Sequence, residues 1–105
     1  MREARVVLCT VGNAEDAKRI ARLLVAERLA ACVSVVPVDS FYSWEGKLVE
    51  DSERLLVIKT SASRIGELER RVHEIHPYTV PEFVVIAPER VAAPYLAWLK
   101  DWVEP

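Results

Sequence analysis

The chain has 105 residues, 51% of them apolar and 29% charged, with a net charge of −2. That suits one soluble domain with a single core. The two signs of charge are interleaved, with no basic run longer than Arg70-Arg71, which argues against a nucleic-acid or anionic-membrane surface.

No apolar run approaches a membrane span, and the opening MREARVV lacks a signal-peptide pattern. The two cysteines, Cys9 and Cys32, suit free thiols in a reducing cytoplasm better than a disulfide framework. Glutamine is absent, Asn13 is the one asparagine, and arginine outnumbers lysine ten to four. Such a polar set leans towards heat stability.

In chain order, Arg5-Val6-Val7-Leu8-Cys9-Thr10 predicts a short strand, buried on both faces if central. Gly12-Asn13 breaks it, and Asn13 can cap a helix with Glu15 and Asp16 in its first turn. Ala17, Ile20, Ala21, Leu24, Val25 and Leu29 share one face, so the helix is expected from about Ala14 to Ala30.

Cys32 to Val38 is a β-branched run, broken by Pro37 and resumed as Ser40-Phe41-Tyr42-Ser43-Trp44. Pro37 cannot donate to a ladder, which predicts an edge strand or a bulge. Glu45-Gly46 is the expected hairpin tip, and Lys47 to Thr60 the returning strand. Ser63 can cap a second helix bearing Ile65, Leu68, Val72 and Ile75 on one face, ended by Pro77.

Phe83 to Ala87 is the fourth expected strand. Pro94 suits the first position of a last helix striped by Tyr95, Trp98, Leu99 and Trp102. The order βαββαβ plus a terminal helix predicts an α+β, ferredoxin-like domain over residues 1–105, with an antiparallel sheet of order 4-1-3-2.

That topology brings distant segments to one rim. The end of strand one at Cys9-Thr10, the segment His76-Pro77-Tyr78-Thr79-Val80-Pro81-Glu82 and the hairpin tip at Trp44 should meet there. The long hairpin arms also outrun strand one, leaving ladder edges with Phe41, Tyr42 and Trp44 unpaired. That predicts a homo-oligomer.

Cys9 is either a small core hydrophobe or a thiolate favoured by the nearby helix N-terminus. His76 either caps the preceding helix or ligates a metal, thiolate and imidazole being a borderline-soft donor pair. Glu82 pairs with a cation or serves as third ligand or outer partner of His76. Cys32 is expected in the core and His73 on the surface, while Tyr42 and Trp44 are interface packing. Lys47 and Lys59 are ion-pair partners or hold an anion in a cleft between subunits.

Val7-Leu8-Cys9-Thr10, Glu27-Arg28-Leu29-Ala30-Ala31-Cys32-Val33, Tyr42-Ser43-Trp44-Glu45-Gly46-Lys47, the His76–Glu82 segment and Tyr95-Leu96-Ala97-Trp98-Leu99 together resemble the CutA family of divalent-cation-tolerance proteins. The resemblance covers nearly the whole chain. It implies a cytoplasmic homotrimer, similar in architecture to the PII signalling proteins, that binds copper or another divalent cation.

The family's metal cysteine matches Cys9 and its histidine matches His76. A second histidine that some members carry just upstream is Ile75 here. The architectural likeness also admits a signalling or adaptor module that binds a small anion between subunits. No nucleophile–base pair, phosphate-cradling loop, RNA-binding strand motif or Cys-x-x-Cys is present, so an enzyme is not expected.

Overall fold

The computed structural model describes residues 3–105. Its elements run β1 (Ala4–Val11), α1 (Ala14–Ala26), β2 (Cys32–Trp44), β3 (Lys47–Ser61), a 3-10 turn (Ala62–Arg64), α2 (Ile65–Ile75), β4 (Val84–Ile86) and α3 (Ala93–Val103). The sheet order is β2-β3-β1-β4, which from the other edge is 4-1-3-2. Every pairing is antiparallel.

The Asn13 side chain accepts a hydrogen bond from the Asp16 amide at 2.8 Å and caps α1. That helix ends at Ala26 rather than near Ala30. Arg28 adopts a left-handed conformation (φ 61°), and the amides of Leu29 and Ala30 turn back to the Leu24 carbonyl. The guanidinium of Arg28 then lies 3.8 Å over the Trp102 ring and donates to its carbonyl, fastening α3 to this corner.

β2 is a single uninterrupted edge strand. Pro37 stays in register opposite Arg54 on this edge strand, with no break in the pairing. Glu45 and Gly46 both have positive φ, as a two-residue hairpin turn requires. Ser63 does not cap α2; it lies within the 3-10 turn, and its hydroxyl donates to the Glu104 carboxylate.

The core lies between the sheet and α1 with α2, where Val7, Cys9, Val11, Leu56 and Ile58 meet Ile20, Leu24, Leu68 and Val72. A smaller cluster packs Leu99 and Val103 with Ala31 and Trp102. Tyr95 and Trp98 of the expected α3 stripe remain 40% and 51% exposed, with Val103 buried in their place.

The opposite sheet face is turned away from α1 and α2, and α3 packs against β3 there, beside Cys32 and Ser61. Leu8, Leu55 and Val57 lie there half-buried, flanked by exposed Val36, Val84 and Ile86. Within one chain α1 and α2 cover one side of the central strands and α3 only part of the other, although the side chains are apolar on both.

Candidate functional site

β1 pairs only with Arg54–Ser61 of β3, so Val38–Trp44 and Lys47–Glu53 continue as a free two-stranded arm. At about 3.3 Å per residue, seven residues carry this arm some 23 Å past the end of β1. Phe41, Trp44 and Leu48 on it are 67%, 50% and 74% exposed.

The His76–Glu82 segment folds back across the base of the arm. His76 ends α2 in an extended conformation imposed by Pro77. Its ring leaves its own helix and places Nε2 2.8 Å from the Thr10 carbonyl, while Nδ1 accepts the Tyr78 amide at 3.0 Å. The accepted bond leaves Nδ1 without a proton, so Nε2 carries it and donates to Thr10. Burial lowers the imidazole pKa from its ordinary value, against the opposing pull of the Thr10 carbonyl.

Tyr78 reaches further. Its hydroxyl donates to buried Glu53 at 2.6 Å, and a Cβ on Gly12 would stand 3.2 Å from that oxygen. Burial, then the Glu53 hydrogen bond, raises the phenol pKa. Among the described residues, Glu82 forms an ion pair with no basic side chain. Its carboxylate accepts from the Thr10 hydroxyl at 3.4 Å.

Thr10 is thus the shared partner of His76 and Glu82, a role that nothing in its sequence context signals. Tyr78 and Glu53, also missed from sequence, are the second tie. Thr10, Glu53, Tyr78 and Glu82, with Phe41, Tyr42 and Trp44 of the arm, line an open cavity of about 790 Å³, which His76 does not reach.

Cys9 is fully buried and does not line that cavity. Its thiol makes only a long 3.9 Å contact to the Thr10 carbonyl, and burial, then the Glu82 and Glu53 carboxylates, pushes its pKa up to about 12. The expected help from the helix N-terminus is overridden.

The donor set Cys9, His76 and Glu82 therefore does not fit a metal ion. The thiol is held protonated, both imidazole nitrogens are engaged, and among the described residues no three His, Cys, Asp or Glu side chains are grouped to hold one.

The remaining candidates are placed more simply. Cys32 is a half-buried free thiol, and His73 is exposed and bonded to the Glu69 carbonyl. Lys59 donates to Ser34 at 2.7 Å, and Lys47 lies exposed beside the hairpin turn.

Residues 5–102 match the model of the CutA1 divalent ion tolerance protein family. A Thermus thermophilus protein named divalent-cation tolerance protein CutA is 48% identical over 97 residues, which are 91% of this chain and 94% of that protein. Human protein CutA is 44% identical over 96 residues, so the match spans 90% of this chain and only 54% of the human one.

Among solved structures, CutA from Synechococcus elongatus superposes with a TM-score of 0.96 at 31% identity, covering 99% of this chain and 93% of that one. The Thermus thermophilus structure gives 0.91 at 47% identity, with 94% and 97% covered.

Proposed function

Since this chain belongs to the CutA divalent ion tolerance family, we propose that it serves divalent-cation tolerance as a non-enzymatic, cytoplasmic homotrimer. The observation that carries this reading is the apolar part of the sheet face away from α1 and α2 that α3 leaves half-covered. A monomer would leave Leu8, Leu55 and Val57 half-covered beside exposed Val36, Val84 and Ile86, a patch that marks a contact surface in a soluble protein.

The free arm adds a second unpartnered surface. Two different patches on one chain suit a head-to-tail ring, and closure at three copies leaves no open edge.

Copper, or another divalent cation, is the ligand that belongs with this family reading. Its capture at Cys9 and His76, supported by Glu82, would need an ionised Cys9 and a His76 nitrogen released from Thr10 or Tyr78. Calorimetric titration with copper(II) of the parent, Cys9→Ser and His76→Ala tests the assignment. Loss of a binding site in both variants would support it, and binding like the parent would remove these residues as ligands.

The tolerance role has its own test in a bacterium lacking its family member. Growth in added copper should recover when this chain is supplied, and no recovery would count against the role. The anion-binding alternative gains nothing from the rim cavity, whose charged lining residues are Glu53 and Glu82.

A further inference from the structure

The rim cavity carries charge of one sign. Its charged lining residues are Glu53 and Glu82, and no lysine or arginine joins them. Glu53 is held by the Tyr78 hydroxyl and the Glu82 carboxylate accepts from Thr10, so among the described residues neither forms an ion pair within its own chain. Phe41, Tyr42 and Trp44, which line the same cavity, stand on the free arm. The surface that covers the arm in a trimer therefore closes the cavity too. It must bring a positive charge to the carboxylates that it takes out of water.

The corner between β4 and α3 is such a surface. β4 pairs with β1 alone, which leaves its outer ladder edge open. Val84, Val85 and Ile86 are exposed on it, as are Tyr95 and Trp98 on α3. Arg90 is exposed in the connecting segment and, among the described residues, forms no ion pair. Lys18, Arg22 and Arg70 form none either, but they lie exposed on α1 and α2, which cover the other face of the sheet.

We propose that the β4–α3 corner of one copy seats against the arm and rim of the next, with Arg90 as the counter-charge of Glu82 and Glu53. The rim is incomplete in one chain, and a second copy of this chain is its occupant. Apolar contact supplies the area, and the charge pair fixes the orientation. The inference rests on the trimer reading and adds which surfaces meet and which ion pair joins them.

A double-mutant cycle on the whole chain tests it, with the parent, Arg90→Glu, Glu82→Gln and the two combined. Urea titration followed by light scattering reads dissociation of the particle, and far-ultraviolet circular dichroism reads the fold of each chain. Arg90→Glu in the parent should raise the dissociation constant about tenfold or more, because it sets a third carboxylate against two. In the Glu82→Gln background the same change should have an effect at least about threefold smaller. Glu89→Gln, one residue away, should leave dissociation as in the parent.

An equal effect of Arg90→Glu in both backgrounds, no effect in either, or equal loosening by Glu89→Gln would overturn the pairing while leaving the trimer in place. The mass of the parent reads the trimer separately. A parent particle of 11.9 kDa would sink the trimer reading, and the pairing with it.

Discussion

The hydroxyl of Tyr78 donates to the carboxylate of Glu53 at 2.6 Å, joining the segment after α2 to the base of the free hairpin arm. Glu53 is 4% exposed, so removing this donor takes away a hydrogen bond to a buried carboxylate. Tyr78→Phe should therefore destabilise the fold by about 1.5–3 kcal/mol. Urea unfolding of the two proteins side by side measures it; equal midpoints would show that the bond carries no net stability.

His76 gives the acid side of the stability profile. Its pKa is lowered in the folded state by burial, so below about 6.5 the unfolded chain binds the proton more readily. Stability contributed by neutral His76 is thus fully present above that pH and falls as pH drops through the folded value. Protonation would also take away the Nδ1 lone pair that accepts the Tyr78 amide. Denaturation midpoints from pH 7.5 down to 5 should fall, and more steeply for the parent than for His76→Gln. Identical slopes would show that another group governs the acid limb.

Cys9 gives the alkaline side. A thiol raised from 9.0 to about 12 stays protonated in the fold while the unfolded chain ionises. Stability is present below pH 9 and falls by about 1.4 kcal/mol per pH unit above it until the folded value is reached. Cys9→Ala should flatten the loss between pH 9 and 10.5. At pH 8 a thiol reagent should leave Cys9 untouched in the native protein and label it only after denaturation. Rapid native labelling of Cys9 would contradict its burial.

The half-covered sheet face away from α1 and α2 invites a charge. Val57→Glu places a carboxylate beside Leu8 on that face, outside the core packed by α1 and α2. The variant should keep its far-ultraviolet circular dichroism while its particle mass falls towards that of one chain. An unchanged mass would move the subunit contact elsewhere.

Local chemistry made much of this architecture legible. Pro77 stops α2, Glu45-Gly46 turns the hairpin, Asn13 caps α1, and the βαββαβ order places β1 between β3 and β4. What escaped depends on contacts between distant residues. Arg28 ends α1 early because its left-handed backbone returns Leu29 and Ala30 to the core, an outcome that helical spacing cannot encode.

The site shows the same division. His76 and Glu82 are visible as an unusual pair flanking two prolines, yet their common partner is the backbone and hydroxyl of Thr10, an ordinary strand residue. Cys9 sat where a helix N-terminus favours a thiolate. Complete burial and two neighbouring carboxylates outweigh that effect, and only the packed fold reveals them.

The account depends most on assembly, because the apolar sheet face and the free arm are explained by neighbouring copies. The direct measurement is the mass of the purified, untagged particle by native mass spectrometry at neutral pH. The account predicts a single species at three times the 11.9 kDa chain. A stable particle of 11.9 kDa at micromolar concentration would contradict it.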